Sequence, residues 1–411
     1  MATSGRKGTQ ISKILFSPRT FKQRCSIIVP PNKMVECFIW ICILLISAIC
    51  SSSHGGDDYN IDGMVVNEWE FVRDSFKENF VEQRDLGASI AIYHQGKLVV
   101  DLWGGWFDRS FTKPYDNNTL QLVFSATKGL LQNIGLNMDK MAKENTTVAD
   151  ILSQRAGLPF ISDPSEQIFN WTAMIHSLEH QRPLWPPGTA HSYHALTYGW
   201  LAGELIRRVD PKKRTVWQFI QDEIANPFQI EFYIGLPLEQ AYRVSPLTLS
   251  LDDLRAMNDS MKAFYILYND PRLHRAEIPA ANGITSAKSL ARIYASLITN
   301  LDDGKQKRLL DETVLNQATK LNTPKDELDF ITNTHSAFGM GFTLFDQTFP
   351  MFKSKIFGHI GAGGSIGFAV PSKNLSFAYV VNQLDMTRRN PTRQRIQKIL
   401  EKVSTKITAD Y

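Results

Sequence analysis

Ser125 and Lys128 are the first two residues from which chemistry can be built; they stand three apart in Phe124-Ser125-Ala126-Thr127-Lys128-Gly129-Leu130-Leu131. In a helix that spacing sets a hydroxyl and an amine on one face. A serine hydroxyl is a weak nucleophile until a neighbouring base takes its proton. A lysine one turn away can hold that proton, or stabilise a tyrosinate that does. At a helix start, backbone N–H groups and the helix dipole also favour developing negative charge. By itself Ser-x-x-Lys equally describes an N-cap serine followed by a surface lysine, so other segments have to decide.

Two further segments do. In Trp185-Pro186-Pro187-Gly188-Thr189-Ala190-His191-Ser192-Tyr193-His194, Tyr193 sits on a turn just before a strongly periodic apolar stretch. In Phe357-Gly358-His359-Ile360-Gly361-Ala362-Gly363-Gly364-Ser365, a glycine-rich run leads into a strand, and such glycines let a backbone pass close to a ligand. Ser-x-x-Lys, then Pro-Gly-x-x-x-x-Tyr, then His-x-Gly, in that order, resembles the serine β-lactamase and penicillin-binding-protein superfamily. The wording is closest to its class C-like esterase branch and to the animal β-lactamase domain-containing proteins. Residues 151–159, which include Gln154, and residues 282–286 also match segments of that family. The resemblance runs from about residue 67 to about residue 402.

The resemblance implies that Ser125 is acylated by a carbonyl substrate and that Lys128 and Tyr193 form the general-base pair. The backbone N–H of Ser125 and that of Ala362, on the strand through His359 and Gly361, would form the oxyanion hole, with His359 bordering the pocket. Metal or organic cofactors have no part in such chemistry. Ala195 stands where penicillin-processing relatives carry an amide or hydroxyl, Ile360 replaces a threonine and His359 a lysine. Gln154 stands where a histidine is common. These departures remove charge and hydrogen bonds for an anionic antibiotic and favour an ester or small amide. Related chains carry a longer segment where this one has only residues 132–146. That shortening supports a second reading, a weakly active or inactive membrane-tethered binding module of the same fold.

The elements that must position these residues are legible in outline. The apolar spacing of residues 66–76 predicts a helix, and residues 88–105 read as two strands about the Gln95-Gly96 turn. Residues 121–124 form a short apolar run entering Ser125. Residues 198–209 predict a helix with Tyr198, Leu201, Leu205 and Ile206 on one face. Residues 366–370 and 375–381 read as strands, and residues 393–407 as a final amphipathic helix. The fold expected is mixed α/β (α+β) and β-lactamase-like. An antiparallel sheet from both ends of the chain is flanked by terminal helices, and an all-helical lobe from the middle packs beside it with the site between.

Two rivals remain. Gly363-Gly364-Ser365-Ile366-Gly367 matches the Gly-x-Ser-x-Gly elbow, but that motif needs a helix after the serine, and an apolar strand-like run follows here. His176 and His180 share a helical spacing without the glutamate of the usual zinc motif.

Composition narrows the setting. A hydrophobic fraction of 43% and a charged fraction of 21% suit a globular body with a large core. The net charge of +4 is concentrated before Glu36, in Arg6, Lys7, Lys13, Arg19, Lys22, Arg24 and Lys33, so nothing favours a nucleic-acid partner. Cys25, Cys37, Cys42 and Cys50 all lie in the leader, which leaves the body without a thiol or disulfide. The uncharged run 37–50 behind a basic flank reads as a signal segment, retained as a single-pass anchor with a lumenal or extracellular body, or cleaved to release a secreted one. Domain limits are thus 1–57 for the leader and 58–411 for the hydrolase-like body. Asn117, Asn145, Asn170, Asn258 and Asn374 are glycosylation triplets consistent with that setting. The partners expected are a small ester or amide and, through the leader, a membrane; oligomeric state is not legible.

Overall fold

A computed structural model describes residues 59–131, 146–161, 167–385 and 390–409. The leader, Asn145 and nearly all of the shortened stretch after Leu131 lie outside the described residues. Among the described residues no helix is long and apolar enough to cross a membrane.

Seven strands make one antiparallel sheet: β1 (Asp62–Val65), β2 (Gly87–His94), β3 (Lys97–Gly105), β4 (Thr343–Leu344), β5 (Phe357–Ile360), β6 (Ile366–Val370) and β7 (Leu375–Val381). Their spatial order is β1-β3-β2-β7-β6-β5-β4, so the first and last parts of the chain meet at β2 and β7. The β2–β3 hairpin closes on Gln95 and Gly96, with φ of 52° and 76°. Positive φ at both central residues matches the right-handed twist of the flanking strands.

Five helices frame the sheet and the lobe: α1 (Phe71–Val81), α2 (Trp171–His180), α3 (Thr197–Val209), α4 (Ala287–Ile298) and α5 (Pro391–Ala409). Every position of β2, β6 and β7 is buried, because both faces of the sheet are covered. Side chains alternate between those faces. Ala91, Tyr93, Ala369, Ala378 and Val380 share a core with Leu290, Ile293 and Tyr294 of α4. Ile90, Ile92, Phe368 and Phe377 share another with Phe76 and Phe80 of α1 and Ile396, Ile399 and Val403 of α5. Each such large side chain contributes roughly 1.5–3 kcal/mol by leaving water.

Two expectations are corrected. The first helix begins at Phe71, behind β1 and a short turn of helix at Asn67–Trp69. β1 reads Asp-Gly-Met-Val, an edge strand too short and polar to show a period of two. The lobe is not all helical, since Gln121–Leu122, Ile284–Thr285 and Phe232–Tyr233 form a small antiparallel sheet within it.

Candidate active site

Ser125 lies in a 3-10 turn, Phe124–Thr127, that runs into the helical turn Lys128–Leu131. In a 3-10 turn residues three apart eclipse one another. Lys128 therefore stands directly behind Ser125, with Nζ 3.4 Å from Oγ. The turn is buttressed by the small sheet: the Val123 N–H donates to Gly283 O at 2.9 Å, and the Gly283 N–H donates to Thr127 Oγ1 at 2.9 Å. Phe124 holds φ at 47°. That left-handed conformation costs a bulky residue about 1–3 kcal/mol, and packing of its ring against Tyr268 at 4.7 Å helps to hold it.

Lys128 is fully buried, and no carboxylate pairs with it among the described residues. Its Nζ lies 2.7 Å from Ala195 O and 2.9 Å from Ala280 O. Burial pushes its pKa well below the usual lysine value. In its neutral form the amine would have two N–H donors for the two carbonyls and one lone pair for the Ser125 hydroxyl.

The Tyr193 ring lies 4.9 Å from Lys128 Nζ. Although the residue is partly exposed, its hydroxyl is buried and has no hydrogen-bond partner. Burial pushes its pKa up, and the nearby Ser125 hydroxyl, short of hydrogen-bond geometry, only partly opposes that. Tyr193 is therefore a protonated phenol. Its backbone is fixed by Asp329, whose Oδ2 accepts the Tyr193 N–H at 2.9 Å and whose Oδ1 accepts the Ser192 hydroxyl at 2.8 Å. The Ile331 and Thr332 N–H groups donate to the same Oδ1 at 2.9 and 2.8 Å. Burial alone would raise the Asp329 carboxyl, but these donors outweigh it and hold the pKa below the usual carboxylate value. No sequence motif marks Asp329; a lone aspartate in a loop carries no signal.

Gln154 also serves this loop. Its Oε1 accepts the His194 N–H at 2.8 Å and its backbone oxygen accepts the Ser192 N–H at 3.1 Å. His194 is committed at both nitrogens, donating from Nδ1 to Ser192 O at 2.6 Å and accepting the Leu158 N–H at Nε2 at 3.0 Å. Burial lowers its pKa to about 4, so it is a neutral structural residue.

On the other side, β5 ends at Ile360 and residues 361–364 form a turn. Ala362 is thus on a turn and not on the strand where it was expected. The cause is local: the Gly361 N–H folds back to Ser365 O at 2.7 Å, closing the turn before pairing can continue. A Cβ on Gly361 would sit 2.2 Å from Val123 O, so only glycine lets this turn lie against the residues that lead into Ser125. The backbone N–H groups of Ser125 and Ala362 make no hydrogen bond to another group among the described residues.

His359 is 5% exposed. Its Nδ1 donates to Ile360 O at 3.0 Å, its Nε2 has no partner, and its ring lies 5.9 Å from that of Tyr193. Burial, with the Lys128 charge second, lowers its pKa to about 3. It presents an uncharged nitrogen near Tyr193.

The rivals separate from this cluster. Ser365 is buried, its Oγ accepts the Val381 N–H at 3.2 Å, and β6 rather than a helix follows it. His176 and His180 stack at 4.1 Å on the exposed face of α2, and no third ligand joins them among the described residues.

Comparison with known proteins agrees with this architecture. Residues 72–401 match the Beta-lactamase family. The Esterase/beta-lactamase LipL of Mycobacterium tuberculosis (strain ATCC 25618 / H37Rv) is 29% identical over 380 residues, which are 81% of this chain and 86% of LipL. A family VIII carboxylesterase superposes with a TM-score of 0.73 at 27% identity, over 84% of this chain and 99% of that one. A penicillin-binding-protein homolog from Caulobacter crescentus gives 0.71 at 30% identity, over 84% and 99%. EstA from Arthrobacter nitroguajacolicus Rue61a gives 0.69 at 27% identity, over 84% and 98%. A match that runs from within α1 to within α5 places the chain in the Beta-lactamase family, as a serine hydrolase.

Proposed function

We propose that the chain hydrolyses an ester or small amide through an acyl-serine intermediate, with Ser125 as nucleophile, Lys128 as its base and Tyr193 as proton donor to the leaving group. The observation that carries this is the setting of Lys128: a fully buried amine whose pKa burial lowers, with Nζ 3.4 Å from Ser125 Oγ and two carbonyls at 2.7 and 2.9 Å, so that its neutral form would offer a lone pair for the Ser125 proton. In acylation the Ser125 proton passes to Lys128 Nζ as Oγ bonds to the carbonyl carbon. The tetrahedral oxygen is held by the N–H groups of Ser125 and Ala362. As it collapses, the bond to the leaving group breaks, Tyr193 protonates the departing oxygen or nitrogen, and Lys128 returns its proton to Tyr193. Water then repeats the sequence in reverse on the acyl group and frees the acid. The high pKa of Tyr193 supports the donor role and leaves the base role to Lys128.

The test is intact-mass analysis of the protein treated with a fluorophosphonate. A single adduct on Ser125, absent in Ser125→Ala, is the expected result. No adduct on folded protein would sink the proposal.

Specificity follows from His359 and Ile360. Neither supplies charge or a side-chain hydroxyl for a substrate carboxylate. Losing one charge-assisted hydrogen bond of about 1.5–3 kcal/mol costs roughly 10- to 100-fold. We therefore expect p-nitrophenyl butyrate to be turned over, and nitrocefin, an anionic β-lactam, to react about 100-fold more slowly in kcat/KM. Comparable rates on the two would show that anion recognition resides elsewhere. A membrane-anchored setting for this hydrolase is supported by the basic flank and apolar run of the leader.

A further inference from the structure

Arg395 of α5 is 3% exposed, and four hydrogen bonds occupy its guanidinium. Nε donates to Asp85 Oδ1 at 2.6 Å, Nη1 to Gly363 O at 3.0 Å, and Nη2 to Arg84 O at 2.8 Å and Gln383 O at 3.0 Å. Asp85 is fixed in turn by the Tyr379 hydroxyl at 2.5 Å, and Asn79 donates to Tyr379 Oη at 2.8 Å and to Arg395 O at 3.1 Å. The cluster joins α1, β7 and α5 behind the sheet, yet one of its bonds reaches forward to the turn that bears Ala362.

That turn is soft by composition. Gly363 and Gly364 hold φ of 83° and 136°, and glycines in such conformations supply little stiffness of their own. Gly364 is also the residue that lets the guanidinium in, since a Cβ there would lie 2.2 Å from Arg395 Nη1. Among the described residues the Gly363 carbonyl is otherwise approached only by the Asp385 N–H, at 3.4 Å. An arginine has the planar fork needed to bind Asp85 and Gly363 O together, which a lysine lacks.

We infer that Arg395 is a positioning residue for the reaction: by holding Gly363 O it sets the Ala362 N–H against Ser125, so that a guanidinium on α5 governs oxyanion stabilisation without touching substrate. This inference rests on the acyl-serine reading above.

In the full chain, Arg395→Lys keeps a cation beside Asp85 but loses the reach to Gly363 O. With p-nitrophenyl butyrate it is expected to lower kcat about 10- to 100-fold, as sub-ångström to 1 Å misplacement does, while KM stays within about twofold. Affinity for phenylboronic acid, whose tetrahedral adduct places an oxygen in the same hole, falls by a similar factor. Tyr379→Phe is the control: it removes two hydrogen bonds from the same cluster, lowers Tm, and leaves kcat within about twofold. Should Arg395→Lys not fold, Asp85→Asn/Arg395→Gln, which buries no unpaired charge, is read in its place and is expected to show the same kcat loss. Wild-type kcat and boronate affinity in the Arg395 variant would overturn the inference. So would a kcat loss in Tyr379→Phe as large as in Arg395→Lys, since that would reduce the cluster to scaffold. Fluorophosphonate labelling separates the two ideas. Unlabelled wild type defeats the acyl-serine reading, whereas normal labelling with an unaffected Arg395→Lys defeats only the positioning role.

Discussion

Lys128→Met is expected to lower kcat/KM for p-nitrophenyl butyrate by about 10³- to 10⁴-fold while the protein remains folded. Methionine fills nearly the same volume, so the packing around residue 128 survives. What is lost is the amine 3.4 Å from Ser125 Oγ and its donors to Ala195 O and Ala280 O. The buried Ala280 carbonyl left without this donor costs about 1–3 kcal/mol, the part-buried Ala195 carbonyl less, and both are offset in part because no amine has to be desolvated.

The same variant reports on protonation. Burial holds the folded Lys128 pKa well below its usual 10.5. Between those two values the folded chain binds fewer protons than the unfolded one, so the wild type gains stability as pH rises toward 10.5 and loses it as pH falls. That slope should vanish in Lys128→Met when urea midpoints are compared across pH 6–10. Wild-type kcat should show an acid limb at the folded Lys128 pKa. Activity within tenfold of wild type in Lys128→Met would remove the base assigned here.

Asp85→Ala should show the largest loss of stability. The Asp85 and Arg395 side chains are 0% and 1% exposed, and their N–O distance is 2.6 Å. A buried pair of this kind adds little net stability against an apolar pair, but removing one partner strands the other charge and costs about 3–5 kcal/mol. The Tyr379 hydroxyl also loses its acceptor. Urea unfolding at neutral pH measures the effect, with Asp85→Asn as the milder companion that keeps hydrogen bonds. A loss under about 1 kcal/mol would mean that water reaches Arg395 on relaxation.

These effects separate what the sequence discloses from what it conceals. Ser125, Lys128 and Tyr193, which the structure brings together, stand out in the sequence because their spacing to glycine and proline punctuation is local. The β2–β3 hairpin and strands β6 and β7 were legible for the same reason: Gln95-Gly96 and Pro371-Ser372-Lys373-Asn374 interrupt runs of apolar residues. β4 is not legible, because two residues cannot display a period, and the strand through His359 ends at Ile360, two residues short of Ala362. Asp329 and Arg395 were invisible for a different reason. Each acts on backbone groups far away in the chain, at Tyr193 and Gly363, and a backbone acceptor or donor leaves no residue type to recognise. In α5, Arg395 looks like one more polar position of an amphipathic helix, although it points inward beside Ile396 and Ile399.

The seam between β2 and β7 pairs Ala88 with Val381 and His94 with Leu375. A ribosome therefore releases the β1–β3 region and then the whole lobe, Ser125 included, before β7, the second partner of β2, exists. At about 5–20 residues per second, β2 waits on the order of tens of seconds with an apolar edge unpaired. Nascent chains are most exposed to aggregation during that interval, and any chain stopped short of Leu375 carries Ser125 and Lys128 without the sheet that makes them useful. Translation pace and chaperone access, more than the strength of any contact in the finished fold, should set how much active protein a cell recovers.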